Sequence, residues 1–286
     1  MRNSRRSFVL TGVFIASSVF CSNTLDAEPE KQGFDYSNFA EALKINVDDV
    51  GMINYRKLKA EPQKLLAFIT ELQNLDRKDF DKWSDNEKIA FWLNAYNALT
   101  LKAIIDNYPI KSSFFRSRIY PKNSIRQIAG VWDKIEFIVM GQKLTLGHIE
   151  HKILRVQFDE PRIHMAMVCA AIGCPPLRNG PYTGNKLDEQ LDDQTSRFLA
   201  NSAKFKIERA NDRLYLSPIF KWFANDFIKK HGTQKSIGKH NKEESAVLNF
   251  IASYLSQAEK NFVLAGKFKI KYLKYDWSLN EKQAKN

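Results

Sequence analysis

The stretch that decides the fold is residues 84–109, SDNEKIAFWLNAYNALTLKAIIDNYP. Ser84 and Glu87 form the pattern of a capping box, which predicts that a helix begins at this point. The sequence Asn-Tyr-Pro at 107–109 predicts its end, because proline cannot continue a helix. Apolar residues lie on all sides of this helix, so we expect it to be buried at the centre of a domain.

Two polar side chains interrupt the apolar surface of the central helix. Asn94 and Asn97 are three positions apart, which makes them neighbours on one face. A buried asparagine commonly ties a helix to neighbouring backbone, but it can also orient a histidine or donate to an oxyanion. Both interpretations stay open, and both asparagines are candidate catalytic residues.

The rest of the chain predicts helices around a small, mostly antiparallel sheet. Apolar periodicity indicates further helices over residues 36–45, 62–75, 146–155, 186–199, 218–231 and 243–257. Alternating patterns indicate a hairpin within 131–145 and strands over 52–58, 162–168, 205–207, 213–216 and 267–272. This mixture predicts an α+β fold in a single helix-rich domain.

The most chemically suggestive stretch is HMAMVCAAIGCPPLRNG at 164–180. Cys169 and Cys174 can form a disulfide, remain free thiols in the core, or supply a nucleophile beside a base. His164 is the candidate base, and a hydrogen-bonded core histidine is the alternative, since unpaired burial would be costly. In a strand, His164 and Cys169 lie on opposite faces, so their contact requires the strand to end before Cys169.

A second pair of histidines suggests a metal site. His148 and His151 lie three positions apart on the helix that Thr145 would cap, and this spacing can place two imidazoles on one metal ion. They are candidate metal ligands, although no third ligand stands at a recognisable distance unless His164 or a cysteine supplies it. We expect no cofactor, with a bound metal ion as the alternative.

The N-terminal residues predict an export signal. Arginines, including the pair Arg5-Arg6, precede an apolar run over 8–20, which is typical of a signal peptide and too short to span a bilayer. We expect residues 1–27 to be removed on the twin-arginine or the standard secretory route, leaving a periplasmic protein without a transmembrane span. A lipid anchor at Cys21 is not expected, because the large side chain of Phe20 precedes it.

The charge of the chain bears on its partners rather than its fold. The formal net charge is +12, which in an exported protein favours a polyanionic envelope surface or an unknown envelope ligand over nucleic acid. The densest basic run, over 267–271, alternates lysines with apolar residues. That pattern predicts a strand with one solvated face whose lysines protect a sheet edge.

Five blocks of the sequence together resemble the domain-of-unknown-function family 547. They are IAFWLNAYNALTLKAIIDNYPI (89–110), LTLGHIEHKILR (144–155), PRIHMAMVCAAIGCPPL (161–177), LDEQLDDQTSRFL (187–199) and YDWSLN (275–280). The resemblance implies an exported bacterial domain over 80–286, and we expect a helical segment over 28–79 to pack on it. It implies no agreed catalytic set, and the positions that match its most recognisable motifs are Trp92, Asn94, Asn97, His148, His151, His164, Cys169, Cys174, Pro175 and Asp276.

A more distant likeness is to transglutaminase-like and papain-like thiol enzymes. In those enzymes a buried helix carries the nucleophilic cysteine, and a strand bearing histidine follows it. Here Asn94 or Asn97 stands in that region of the helix, and the cysteines lie elsewhere in the chain. The departure implies that the scaffold uses Cys169 or Cys174 from another position, or that it binds without catalysis.

These observations leave three functions, and whether the protein is an enzyme stays open. The favoured interpretation is a non-catalytic binding or scaffold domain of the envelope. The first alternative is a hydrolase or acyltransferase that depends on a thiol or histidine and acts on an envelope peptide, amide or ester. The second is a metal-dependent enzyme that uses His148, His151 and His164.

Overall fold

The structure is a computed structural model that describes residues 33–283. The predicted signal peptide (1–27), its twin-arginine pair and the prediction about Cys21 lie outside the described residues. Within residues 33–283, no helix is both long enough and apolar enough to cross a bilayer.

Helices dominate the described part of the chain. The longer ones are α1 (Ser37–Asn46), α2 (Tyr55–Ala60), α3 (Gln63–Asn74), α4 (Arg77–Asp81), α5 (Asp85–Asn107), α8 (Leu187–Ala200), α11 (Lys242–Ala252) and α12 (Gln257–Ala265). Shorter ones are α6 (Leu146–His148), α7 (Arg155–Gln157), α9 (Ile219–Trp222) and α10 (Ile228–His231). A π-helical segment, Ile149–Leu154, joins α6 to α7.

The strands form two small sheets. In the first, β1 (Glu136–Val139) pairs antiparallel with β2 (Gln142–Thr145). In the second, β3 (Phe205–Glu208) pairs antiparallel with β4 (Arg213–Leu216), and β5 (Lys269–Tyr272) pairs parallel with β4. The predicted α+β class is therefore confirmed, although the sheet is divided and one strand pairing is parallel.

The central helix α5 begins and ends where the sequence predicts. The Ser84 side chain accepts from the Glu87 backbone N–H, and the Glu87 carboxylate accepts from the Ser84 N–H. Buried residues run along nearly the whole length of the helix, and α2, α3, α8 and the π-helical segment pack around it. Because every side of α5 is covered, its apolar residues form the middle of the main core.

Two hydrogen-bonded amides attach the second half of the domain to α5. The Asn97 carboxamide accepts from the Val168 N–H at 2.9 Å and donates to the Ala166 carbonyl at 3.1 Å. Asn94 makes the same pair of bonds to the backbone of Tyr182, at 2.9 and 2.8 Å. Each buried asparagine thus satisfies one backbone N–H and one carbonyl that belong to no sheet.

The predicted strand over 162–168 is wrong. Residues Pro161–Met165 form a short 3-10 helix that starts with proline at its first turn. Ile163 belongs to the main core, whereas Met165 belongs to a second core built around α11. The segment is apolar because it lies between two cores, and this double burial produces the same sequence pattern as a strand covered on both faces.

The predicted strand over 52–58 is also wrong. Ile53 makes only isolated bridges, and the chain then turns into α2. The Asn54 side chain accepts from the Lys57 N–H at 3.0 Å, which starts the helix in the middle of the predicted strand.

We expect Asn97→Ala to destabilise the protein by about 3 kcal/mol, because it leaves one buried N–H and one buried carbonyl unpaired. Chemical denaturation followed by circular dichroism measures this loss. Asn107→Ala is the matched control, because Asn107 lies in the same helix and its side chain donates to the Ala103 carbonyl one turn away. Its loss should change stability by less than about 1 kcal/mol. Equal effects of the two substitutions would contradict the proposed attachment.

Candidate functional site

A cavity of about 470 Å³ lies beside α5 and the Pro161–Met165 turn. Its volume is within the usual range of small-molecule pockets. The wall combines aromatic rings with a few charged or reactive side chains: Tyr96, Arg126, Trp132, Glu150, His151, His164, Met167, Cys169, Cys174, Pro175, Ile219, Trp222, Phe223, Tyr275 and Trp277.

The π-helical segment supplies the acidic group of the cavity. Thr145 caps the preceding turn by accepting from the His148 N–H at 3.1 Å. The chain then widens over 149–154, a distortion that is frequent at functional sites. Glu150 is buried here, and the Tyr96 hydroxyl donates to its Oε2 at 3.2 Å. A carboxylate is thereby held at the wall of an otherwise aromatic cavity.

His164 is fixed from one side by an acid and from above by a ring. Its Nε2 lies 2.8 Å from Asp226 Oδ2, and the imidazole stacks on Phe223 at 4.0 Å between centroids. Arg155 holds the same carboxylate with two bonds, Nε to Oδ2 at 2.6 Å and Nη2 to Oδ1 at 3.0 Å. Among residues 33–283 the second ring nitrogen, Nδ1, has no hydrogen-bond partner.

The ionisation of this group of side chains follows from burial and pairing. Burial lowers the pKa of His164, and the Asp226 hydrogen bond offsets only part of that effect, so the imidazole is neutral at pH 7. Burial would raise the pKa of Asp226, but hydrogen bonds from His164 and Arg155 outweigh it and hold that pKa well below its usual range. Asp226 is therefore a carboxylate that accepts the Nε2 proton, which leaves the Nδ1 lone pair free.

The structure places Cys169 and Cys174 with their sulfur atoms in contact, as a disulfide, with a Cα–Cα distance of 6.3 Å. That separation lies within the range of natural disulfides. The Cys169 N–H donates to Cys174 Sγ at 3.0 Å, and the Tyr275 hydroxyl lies 3.1 Å from the same sulfur. The residues between the cysteines include Ala170 in the left-handed region, with φ of 58°, so the loop between them is a tight and specific turn.

The backbone of residues 276–278 and the side chain of Lys204 both bond to the turn over 169–174, called here the cysteine turn. The backbone of 276–278 pairs with it, since the N–H groups of Ile172 and Gly173 donate to the carbonyls of Ser278 and Asp276 at 2.8 and 2.7 Å. The buried ammonium group of Lys204 donates hydrogen bonds to the carbonyls of Ile172 and Cys174. Burial lowers the pKa of Lys204 to about 8. The turn is thus held by backbone and side-chain bonds as well as by the cysteines.

Arg126 is a basic group of the cavity, and among residues 33–283 its guanidinium contacts aromatic rings. Its guanidinium lies over Trp277, Trp132 and Tyr120, at 4.3, 4.9 and 5.2 Å from the ring centroids. Its Nε is buried without a hydrogen-bond partner. In the described part of the chain, no carboxylate pairs with this side chain and no acceptor takes its N–H groups. A buried Nε donor normally has a partner, so the arrangement is typical of a site for an acceptor from outside the chain.

The structure brings together some of the sequence-predicted site residues and not others. His164, Cys169 and Cys174 line one cavity, as the hypothesis of a histidine and a thiol requires. Asn94 and Asn97 lie outside its lining, and the carboxamide of each is bonded to backbone. Their structural interpretation accounts for these contacts, and their catalytic role stays a prediction.

The predicted metal ligands do not converge. His148 is exposed and lies outside the cavity lining, while the His151 Nδ1 lies 2.9 Å from an Arg155 nitrogen. Across residues 33–283, no group of three or more His, Cys, Asp or Glu side chains is placed to hold a metal ion. Metal binding therefore stays a prediction without an assembled ligand set.

Sequence reasoning missed most of the wall. Arg126 and Trp222 come from segments that carry no motif, and they reach the cavity only through the fold. Asp226, which also carries no motif, is not a lining residue but bonds to His164. Glu150 had a signal, since it is the one acid in the stretch LGHIEHKIL and lies between His148 and His151. The motif YDWSLN was a second signal, because Tyr275 and Trp277 are two large aromatic side chains on either side of Asp276.

Comparisons with known proteins agree with the resemblance seen in the sequence. The family described as "Protein of unknown function, DUF547" matches residues 80–199. No curated protein matches the chain, and no solved structure matches it. The match includes α5, the π-helical segment and the cysteine turn, whereas Trp222, Asp226, Tyr275 and Trp277 lie beyond it.

The lowered pKa of His164 predicts how stability depends on pH. Below about pH 6.5 the unfolded chain takes up a proton on this histidine that the folded chain does not. The free energy of unfolding should therefore fall as the pH falls from 7 to 5, by at most about 1.4 kcal/mol per pH unit from this group. Asp226, whose pKa is lowered, keeps its contribution throughout that window and loses it only in stronger acid.

Urea denaturation at a series of pH values measures this dependence. His164→Gln should flatten the slope between pH 5 and 7, while the exposed His148→Gln should leave it as it is. An unchanged slope in His164→Gln would mean that the imidazole already carries its proton in the folded protein.

Proposed function

From the cavity we propose that the protein binds a small ligand consisting of a carboxylate and an apolar body. Residues 80–199 match the DUF547 family, whose description assigns no activity. The supporting observation is Arg126, a guanidinium fixed on three rings and left without an acceptor. A carboxylate fits this group because it accepts two parallel N–H bonds from the planar guanidinium. The favoured interpretation of the sequence, a binding domain, thereby acquires a ligand class.

The aromatic wall supports an apolar body for the ligand. Trp222, Tyr275 and Trp277 pack as a group, with ring centroids 4.6 to 6.1 Å apart, and Trp277 also carries the Arg126 guanidinium. Rings of this kind supply a large apolar surface at little cost in side-chain entropy. An amino-acid derivative or the C-terminal residue of a peptide has the matching chemistry.

Glu150 supplies a second polar contact for such a ligand. Its Oε2 accepts from Tyr96, and its Oε1 lies 3.8 Å from the partly exposed His151. A carboxylate at the wall can accept an N–H from the amide or amine of the same ligand. Arg126 and Glu150 would then bind opposite polar ends, and an envelope peptide would meet both requirements if the chain is exported as its leader predicts.

We expect N-acetylphenylalanine to bind at least tenfold more tightly (roughly) than its neutral amide, because only the acid pairs with Arg126. Quenching of tryptophan fluorescence reports occupancy, since three tryptophans line the cavity. Arg126→Met should remove the preference for the acid. Arg209→Met is the matched control, because Arg209 also lies over a ring, Phe262 at 5.3 Å, but stands outside the cavity lining.

Two results would contradict the proposal. The acid and its amide could bind equally, which would remove the role of Arg126. Alternatively, Arg209→Met could weaken binding as much as Arg126→Met, which would indicate a general effect of charge.

A hydrolase or acyltransferase is the second candidate, and the contacts of Cys174 favour it. In the disulfide-bonded structure, Cys174 Sγ lies 3.0 Å from the Cys169 backbone nitrogen and 3.1 Å from the Tyr275 hydroxyl, which also lies 3.3 Å from Cys169 Sγ. After reduction, the Cys174 thiol would keep both donors beside it. Both donors stabilise a thiolate, which is the reactive form of cysteine. His164 lines the same cavity with a free Nδ1 lone pair, as a general base requires. The disulfide form would be inactive in this interpretation.

If this second function is present, the reduced protein should release a burst of p-nitrophenol from p-nitrophenyl acetate as the acetyl group transfers to sulfur. Cys174→Ser should abolish the burst and Cys169→Ser should retain it, because only Cys174 receives both hydrogen bonds. A mass increase of one acetyl group on the Cys174 peptide identifies the acyl-enzyme. Reduced protein without a burst would leave binding as the function of the cavity.

A further inference from the structure

Three large apolar side chains project from one short loop. Phe114, Phe115 and Ile119 are 70%, 74% and 76% exposed. The two phenylalanine rings contact each other edge to face, with centroids 5.5 Å apart. Single exposed apolar residues are ordinary on a protein surface, whereas a cluster marks a site of interaction.

The charge around Phe114, Phe115 and Ile119, which together form the apolar tip of the loop, has a single sign. Between Asp106 and Asp133 the chain contains no acidic residue, and its basic residues there are Lys111, Arg116, Arg118, Lys122 and Arg126. Lys111, Arg118 and Lys122 are exposed, and the Arg118 guanidinium lies 4.8 Å from the centre of the Phe114 ring. The tip therefore combines an apolar end with a basic collar.

The loop is held in a defined shape by one buried side chain. Gln127 accepts from the Ser113 N–H at 3.0 Å and donates to the Pro121 carbonyl at 3.0 Å. The Ser117 N–H also donates to the Ser113 carbonyl at 2.9 Å. Bonds across both ends of the loop fix the direction in which its apolar side chains project, so their exposure is a built feature of the fold.

From these observations we propose that the loop over 111–122 docks the protein onto an anionic lipid surface. Phe114, Phe115 and Ile119 enter the headgroup region, and Lys111, Arg118 and Lys122 contact the lipid phosphates. Aromatic side chains favour the membrane interface, and basic residues beside an anionic bilayer add to the affinity. The inference is independent of the ligand proposed for the cavity.

A lipid surface fits this tip better than a protein partner does. Side chains that are at least 70% exposed stand out from the surface, whereas protein interfaces at their core use well-packed, flatter patches. The basic residues of the loop would also repel a second copy of the same loop, because like charges would face each other with no acidic residue between them. An anionic bilayer supplies both the apolar depth and the opposite charge.

The docked loop would lie next to the cavity. Tyr120 lies within the loop over 111–122. The Arg126 guanidinium lies 5.2 Å from the centre of its ring, and the Trp277 ring lies 6.1 Å from it. Membrane docking would thus place the wall of the cavity near the lipid surface.

Co-sedimentation of the full chain with vesicles tests the proposal. We expect binding to vesicles of phosphatidylcholine with phosphatidylglycerol, and at least tenfold weaker binding (roughly) to phosphatidylcholine alone. The double substitution Phe114→Ser with Phe115→Ser should lower the partition coefficient by about tenfold or more, because two rings no longer enter the interface. The N-terminal residues are the same in every variant, so the difference between variants reports the loop.

Matched controls separate this tip from general apolarity and general charge. Val50 and Val156 are 71% and 70% exposed and lie elsewhere in the chain, so Val50→Ser with Val156→Ser should leave vesicle binding unchanged. Arg118→Gln with Lys122→Gln should weaken binding and its salt dependence, whereas Lys269→Gln with Lys271→Gln on β5 should do so much less. Circular dichroism of each variant confirms that it is folded.

Three outcomes would overturn the proposal. The first is equal binding of the Phe114/Phe115 and Val50/Val156 variants to anionic vesicles. The second is a full chain that binds neither kind of vesicle. The third is a concentration-dependent dimer that the serine substitutions at 114 and 115 dissociate, which would make a second copy the occupant of the tip.

Discussion

The structure depends on the hydrogen bonds between Asn97 and the backbone of Ala166 and Val168. These bonds attach an irregular segment to a helix that is buried on all sides. Without a sheet to supply partners, the N–H and carbonyl groups of such a segment would be buried unpaired at considerable cost. The asparagine thus permits a non-repetitive chain to run through the interior, and the same chain carries His164 and the two cysteines to the cavity.

Electrostatic pairing then decides what the cavity can do. Asp226 receives bonds from both His164 and Arg155, and its lowered pKa keeps it charged while burial keeps the imidazole neutral. Arg126 lies in a different situation, since rings hold its guanidinium and no carboxylate in the described residues neutralises it. One arginine of the cavity region is therefore structural, and the other is available to a ligand.

The cavity and the exposed loop share a boundary at Tyr120. That ring contacts Arg126, which lines the cavity, and Tyr120 itself belongs to the loop that projects Phe114 and Phe115. A ligand with a carboxylate and an apolar body is also the kind of molecule that concentrates at a lipid surface, since its apolar part leaves water and its charge remains solvated. The two proposals are therefore compatible, although each has its own test.

The amino-acid sequence by itself determined the central helix, its capping box and its end, the β1–β2 hairpin, the α+β class and the similarity of residues 80–199 to the DUF547 family. These features follow from local periodicity, caps and turns, which act within a few residues of each other. It also identified His164, Cys169 and Cys174 as neighbours of chemical interest, because they are close in the chain. The strand predicted over 162–168 failed, since burial between two cores and burial in a sheet leave the same apolar pattern.

Only the tertiary structure decided the partners of these residues. Asp226 lies 62 positions from His164, and Tyr275 lies 101 positions from Cys174, so no local pattern connects them. The pairing of Arg126 with Trp277 likewise depends on the C-terminal segment returning to the cysteine turn. Ionisation, cavity shape and the free guanidinium all depend on such contacts, because desolvation and hydrogen bonding are set by the atoms that surround a group in space.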